Sequence, residues 1–388
     1  MIRLQLAGLL LAGCAHAPPP PGDRPNILWI TVEDMSPALG AYGDAFARTP
    51  HLDRFARESV RYTRAFATAP VCSPARFGLI TGMYATTLGT QRLRSAFPVP
   101  PHVRGFPSWL RESGYYCSNN VKTDYNVADE PRFIAEAWDA SSPQAHWRGR
   151  PAGRPFFAVV NDMTTHQTRM SAWPREQFVR DVQSRLSPEE IADPAKVPLP
   201  PYFPDTPAAR ETLARAYDCI AVMDKNVGRI LRELADDGLA EDTIVFFFSD
   251  HGHGLPRHKR VLHDSGMRVP LLVRFPSKYA HLAPAPPGST VDRLVSFVDF
   301  APTVLALAGI GRPSHMQGRD FLRGPERAHV FGARDRVDEA FDVARSVHDG
   351  RWLYIRTYMP HLPWHPPSAF SDQSAFARER VRREAGQR

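Results

Sequence analysis

Two carboxylate-bearing pairs stand far apart in the chain: Glu33-Asp34 in "NILWITVED" and Asp250-His251 in "DTIVFFFSDHG". Each closes an apolar run that reads as a buried strand of a parallel sheet. Brought together, Glu33, Asp34, Asp250 and His251 would make an oxygen-rich site with one imidazole. Such a site suits a hard cation, calcium or magnesium, better than zinc, because no thiolate ligands are expected among them. Taken singly, either pair reads equally well as turn or cap residues at a strand end. A third feature is Cys72 in "VCSPARFGLITG", in a chain with four cysteines. An oxidising compartment pairs exposed thiols, so an unpaired one there needs a chemical reason.

The elements that must position these residues follow the order of an α/β fold. Helix-like stretches "TPHLDRFARESV" and "FPSWLRESG" follow the first strand, and "YYCSNNV" and "PFFAVVNDMTTH" are further strand candidates. The segment from Thr206 to Gly238 carries apolar residues at helical spacing, with Thr206-Pro207 as a start signal and the glycine as a stop. Alternating strands and helices predict a mostly parallel sheet sandwiched by helices. Ligands in such sheets bind beyond the carboxyl ends of the strands, so "ED", "THQ" and "SDH" are expected on one edge. The run "LVSFVDFAPTVLALAGIG" reads as an amphipathic helix ending at a glycine. After it, "HVFGARDR", "DVARSVHD" and "RWLYIRTY" read as short antiparallel strands of a smaller C-terminal subdomain. The expected division is residues 1–23 as leader and spacer, 24–311 as the catalytic domain and 312–388 as the subdomain.

The 388 residues are 43% apolar, enough for a large core, and most of the 38 prolines gather at the N-terminus and in loops. A net charge of +7 is consistent with a solvated basic surface or with attraction to acidic glycans. The basic "FARERVRREAGQR" lacks interleaved aromatics, so nucleic acid is not an expected partner. "MIRLQLAGLLLAGC" has a basic start and an apolar stretch too short to span a bilayer, as an export signal does. Leu11-Ala12-Gly13-Cys14 resembles a bacterial lipobox, which implies an envelope protein tethered to the membrane by lipid on Cys14. The competing reading is cleavage after Ala17, which places Pro18 beside the scissile bond. Cys117 and Cys219 either bridge or are simply buried.

Cys72-Ser73-Pro74-Ala75-Arg76 and the following "FGLITG" resemble the signature of the type I sulfatases, of alkaline phosphatase-like fold, whose cysteine is oxidised to formylglycine. "NILWITVEDMSPALGAYGD" and "TPHLDRFARESVRYTRAF" precede it in the family's order, and "SDHGHGLPRHKRVLHDSGMRVPLLVRFP" is similar to the second signature. The resemblance implies that one hydroxyl of the hydrated aldehyde attacks sulfur and the second later expels sulfate. It further implies a maturing enzyme as partner, a calcium ion on Glu33, Asp34, Asp250 and His251, and a sulfated substrate. Arg76 is then expected to hold the diol, Lys122 to touch sulfate and diol, and His166 to protonate or orient the leaving oxygen. Lys259 matches the family's second lysine. Cations converging on a tetrahedral dianion stabilise charge on its transferring oxygens.

Three positions depart from the family pattern. Glu33 stands for the usual first aspartate, and His251 for the commoner asparagine. Asp124 stands where a histidine usually follows the first lysine, which leaves the diol-holding role to Tyr125, Asp124 or neither. "EDMSP", "TTHQTR", "PPYFPDTP" and the segment 333–356 are most similar to the bacterial branch near heparan N-sulfatase and other glycan sulfatases. Within that segment Arg334, Asp335, Arg336 and Asp338 are candidates for substrate contact or for a structural salt-bridge cluster. Two alternatives use the same residues: a phosphomonoesterase or phosphodiesterase on the same scaffold, and a non-catalytic polyanion-binding lipoprotein.

Overall fold

The computed structural model describes residues 24–339, 341–364, 368–376, 378 and 379. The export signal, the lipobox with Cys14 and most of the basic C-terminal run lie outside them. In chain order the large sheet contains β1 (Asn26–Val32), β2 (Val60–Phe66), β3 (Tyr116–Asn120), β4 (Ala140–Ser141), β5 (Phe156–Asp162), β6 (Thr243–Ser249), β7 (Arg268–Arg274), β8 (Thr290–Val291) and β9 (Val295–Ser296). Their spatial order is β4-β3-β5-β1-β6-β7-β2-β8, with β9 also on β2. All pairings are parallel except β6 with β7 and β2 with β7. The mostly parallel sheet expected from the sequence is therefore present.

Helices cover both faces: α1 (Pro50–Arg57), α2 (Cys72–Thr81), α3 (Pro107–Glu112), α4 (Glu130–Ala137), α5 (Arg175–Asp181), α6 (Pro207–Asp236), α7 (Asp264–Met267) and α8 (Phe300–Leu307). Successive β1 side chains face opposite layers, which is why the strand is apolar throughout. Ile27 and Trp29 join a core with Phe77 of α2 and Phe300 of α8, whereas Leu28 and Ile30 join one with Phe55 of α1 and Ile220 of α6. The long helix α6 begins where Thr206 Oγ1 accepts the Ala209 amide at 3.3 Å, a cap that contributes about 1 kcal/mol. It stops before Gly238, whose φ of +69° lies in the left-handed region that glycine occupies without strain.

Two readings need correction. The helix-like run from Thr49 ends at Arg57, and the alternating residues from Val60 pair with β7. The run from Leu294 is not one amphipathic helix. Val295–Ser296 is a strand on β2, a 3-10 turn follows, and α8 is buried at all but one of its positions. Ser296 and Asp299 cap each other's backbone there, and an apolar helix of eight residues fits between core layers rather than at their surface.

A separate antiparallel sheet holds β10 (Val330–Arg334), β11 (Ala344–His348) and β12 (Leu353–Thr357), as the short C-terminal runs predict. Val330, Ala344 and Ile355 on its inner face pack on Phe66, Leu262 and Met267. None of the described helices is long and apolar enough to cross a membrane.

Candidate active site

Strand register sets the site. Val32 is level with Asp162 of β5 and with Ser249 of β6, so the residues after each strand emerge together at one edge. Glu33-Asp34, His166 and Asp250-His251 meet there, as the topology predicts. The Asp34 amide donates to Asp250 Oδ1 at 3.0 Å, and the Gln167 amide donates to Asp34 Oδ2 at 2.8 Å. Ligand atoms of Asp34, Cys72, Asp250 and His251 all lie within 4.8 Å of one another, as do those of Glu33, Asp34, Cys72 and His166. The expectation that no thiol lies among the acids is thus overturned for the unmodified chain.

Cys72 is the first residue of α2, buried, with Sγ 3.3 Å from His251 Nε2, 3.4 Å from Lys259 Nζ and 3.7 Å from Glu33 Oε2. Arg76 lies one turn further along the same helix face. Its guanidinium pairs with Glu33, stands 3.5 Å from Asp250 Oδ2 and donates to Asn161 Oδ1 at 3.0 Å. Lys122 follows β3 and reaches Glu33 Oε2 at 3.5 Å and Asp124 at 3.6 Å. Lys259 donates to Asp34 Oδ1 at 2.7 Å. Tyr125 is turned away into the core, its hydroxyl accepting the Trp138 indole N–H at 3.1 Å. Of the two candidates for the missing histidine, only Asp124 borders the site.

The charges of this cluster depend on one another. Burial would raise the Glu33 carboxyl, but Arg76 and then Lys122 outweigh it and hold it well below its usual range. Burial and then the charge of Glu33 push Asp250 up. Burial would lower His251, yet Asp250 keeps it high. Burial would likewise raise the Cys72 thiol, but Lys259 turns the net shift downward. Burial lowers His166 despite Asp34, which favours its neutral imidazole. The Thr168 amide points at His166 Nδ1 from 3.4 Å, and an amide can only donate, which leaves the proton on Nε2. His251 Nδ1 faces the Gly252 carbonyl at 2.8 Å and so carries a proton, which turns Nε2 toward the acids.

Apart from the Cys72 thiol, the donors are carboxylate oxygens and imidazole nitrogens, which could hold a metal ion. Among the described residues no donor hydrogen-bonds Asp250 Oδ2, which is buried with the Arg76 guanidinium 3.5 Å away, so a lone pair is left that a bound cation could take. Sequence reading missed the polar residues that hold this arrangement. Asn161, inside the apolar β5, accepts from Thr31 at 2.7 Å and from Arg76, and donates to Asn119 at 3.1 Å. Asn119 in turn donates to the Lys122 carbonyl at 3.3 Å. Arg260 donates to Gln167 Oε1 at 2.8 Å and pairs with Asp338 at 2.6 Å. The signal for Asn161 and Asn119 is an amide within a buried strand, which needs partners. Around the rim, Arg334 pairs with Asp342 and Asp335 with Arg345, so Asp335, Asp338 and Arg334 are salt-bridged within the protein. Arg336 is exposed. Cys117 and Cys219 are buried free thiols.

Comparison with known proteins places this geometry. An ulvan-active sulfatase of Formosa agariphila is 37% identical across 94% of this chain and 66% of the relative, so the chain spans just under two thirds of that protein. Human N-sulphoglucosamine sulphohydrolase is 28% identical across 92% of this chain and 77% of its own. A solved complex with the substrate D-glucosamine-2-N,6-O-disulfate superposes with a TM-score of 0.66 at 18% identity, covering 94% of this chain and 95% of that one, a likeness of fold. The family model described as Sulfatase matches residues 25–310, which include every residue placed above in the acid and cation cluster, and the chain therefore belongs to the sulfatase family.

Proposed function

We propose that this protein releases inorganic sulfate from a sulfated carbohydrate, using formylglycine made from Cys72 beside a calcium ion held by Glu33, Asp34, Asp250 and His251. The observation that carries the reading is the position of Cys72 Sγ, at a buried helix N-terminus within 3.3–3.7 Å of His251, Lys259 and Glu33. The thiol stands where the oxygens of the oxidised side chain would lie. When formed, that side chain supplies a hydroxyl nucleophile for sulfur and a second hydroxyl that frees the sulfate, while the cation lowers the cost of negative charge there. The remaining chemistry belongs to this chain's own side chains. Arg76, Lys122 and Lys259 set three positive charges around the position of the sulfate oxygens, where they favour the transition state. His166 donates a hydrogen bond from Nε2–H to the leaving oxygen and so orients it.

The ulvan-active and N-sulphoglucosamine relatives support a sulfated glycan as substrate, with a sulfuric ester or a sulfamate as the bond cleaved. A formylglycine-generating or sulfatase-maturing enzyme is the partner this reading requires. The N-terminal sequence supports export and a lipid anchor on Cys14 at the cell envelope, with residues 312–388 as a subdomain that borders the substrate.

The test combines peptide mass spectrometry of Cys72, expressed with a maturing enzyme, with rates on matched aryl sulfate and aryl phosphate. Loss of the thiol mass for the aldehyde, with sulfate hydrolysed far faster, is expected. An unmodified Cys72 in an active enzyme, or faster phosphate hydrolysis, overturns the reading.

A further inference from the structure

The outer face of the three-stranded sheet carries two rows of side chains in register. Phe331, Val347 and Tyr354 oppose one another across the strands, and Ala333, Arg345 and Arg356 form the adjacent row. Rows on one face are two residues apart along a strand, about 7 Å. Trp352 continues the aromatic side of this face beyond β12. Trp352 and Tyr354 are 68% and 63% exposed, an uncommon use of two large rings on adjacent same-face positions. Arg351 lies over the Trp352 ring at 5.2 Å and Arg356 over the Tyr358 ring at 5.0 Å, so a guanidinium covers one face of each of these two rings. Arg345 is held by Asp335, whereas among the described residues no carboxylate pairs with Arg356.

The face is continuous with the candidate site. Its arginine row is next to the sheet end where Arg334, Ala344 and Thr357 are in register. Arg345 of that row pairs with Asp335, which accepts from Gln91 at 2.9 Å, and the Arg94 amide three residues on donates at 3.1 Å to Ser73, the neighbour of Cys72. From that end the exposed positions 358, 356, 354 and 352 step away from the site, a path of about 20 Å at strand spacing.

We propose that this face is a second carbohydrate-binding site, which holds a sulfated polysaccharide chain while one of its residues occupies the catalytic pocket. It rests on the sulfated-carbohydrate reading above. Sugar rings present flat C–H faces that stack on aromatic planes, and guanidinium forks match the oxygens of sulfate or carboxylate. Alternating apolar and basic rows provide both at the spacing of a chain rather than of a single sugar.

The full chain is tested for retention on immobilised ulvan and heparan sulfate, with polyglutamate and single-stranded DNA as polyanion controls. Wild type is expected to be retained by a sulfated polysaccharide and less by either control. The double variant Trp352→Ala, Tyr354→Ala should lose about tenfold or more in affinity and raise KM for the polymer similarly. Its kcat on a small aryl sulfate and its Tm should not change. Equal retention on DNA or polyglutamate, or none on either polysaccharide by an enzyme that hydrolyses aryl sulfate, overturns the docking site and leaves the catalytic reading standing. Conversion of a dimer to a monomer by the double variant, with retention unchanged, overturns it in favour of a second copy. Retention without any sulfate hydrolysis by the oxidised enzyme would instead remove the catalytic reading.

Discussion

The Lys259 ammonium lies 2.7 Å from Asp34 Oδ1, a residue 225 positions earlier in the chain, and 3.4 Å from Cys72 Sγ. It therefore joins the acidic strand tips to the position of the nucleophile. Burial alone would discharge it, but Asp34 more than offsets that and keeps it protonated. Lys259→Met keeps the stem and removes the charge. The expected result is a fall in kcat of about 10²–10³-fold, the usual loss for one preorganised electrostatic partner. Sulfate release by the oxidised variant measures it, and a rate near wild type refutes the role.

Asn161 acts at one remove, because its carbonyl accepts from both Thr31 and Arg76 while its amide donates to Asn119 and to the Asn120 carbonyl. Asn161→Leu leaves those groups buried without partners, a cost of about 1–3 kcal/mol. We expect a lower denaturation midpoint together with a fall in kcat, since Arg76 loses its second anchor. A purely structural role would lower the midpoint alone.

How much of this was legible follows from residue type. The pairs Glu33-Asp34 and Asp250-His251 were readable because apolar strands end abruptly in charge, and parallel topology sends such ends to one edge. Cys72 as a candidate nucleophile came from family resemblance and not from spacing. Asn161 was not legible, since its partners Thr31, Arg76 and Asn119 come from three distant segments. The antiparallel placement of β7 between β6 and β2 was also hidden, because a buried apolar run has no strand direction. α8 looked amphipathic because small residues can belong to either face of a helix, and only packing showed that nearly every face is covered.

Removal of the cation should be visible without any assay of activity. If calcium binds only the folded chain, a concentration a hundred times Kd adds about 2.7 kcal/mol of stability. A chelator is expected to lower Tm and added calcium to restore it. Asp250→Asn, which alters the Oδ2 that accepts no hydrogen bond among the described residues, should abolish the calcium-dependent shift. A shift of wild-type size in that variant would exclude Asp250 as a ligand.

His258 links stability to pH. Burial, opposed by the Pro256 carbonyl and reinforced by Arg257 and His263, lowers its pKa to about 4. An unfolded histidine titrates near 6.5, so below that pH the unfolded chain takes up a proton that the folded chain refuses. Stability is therefore lost as pH falls through this window, by about 1.4 kcal/mol per unit and ~3 kcal/mol in all. Urea unfolding of wild type and His258→Gln across the window should differ in slope by about one proton. Parallel curves would show that the histidine does not contribute.

Gly254 provides a test of how tightly the acidic cluster is braced. A Cβ at this position would lie 2.3 Å from Gln167 Cβ, 2.8 Å from Gln167 Cα and 3.2 Å from Asp34 Oδ2. The Gln167 backbone cannot easily yield, because its amide donates to that same Asp34 oxygen and its side chain accepts from Arg260. Gly254→Ala should therefore displace Asp34 through Gln167, at an overpacking cost of about 1–3 kcal/mol. Calcium affinity measured by calorimetry should fall along with stability. Gly311→Ala is the matched control, since a Cβ there meets nothing within 4 Å. If Gly254→Ala binds calcium as wild type does and only Tm falls, the loop after β6 supports the fold without positioning the acids. If both fall, while the Gly311 variant changes neither, the approach of Gly254 to Gln167 is what keeps Asp34 in place.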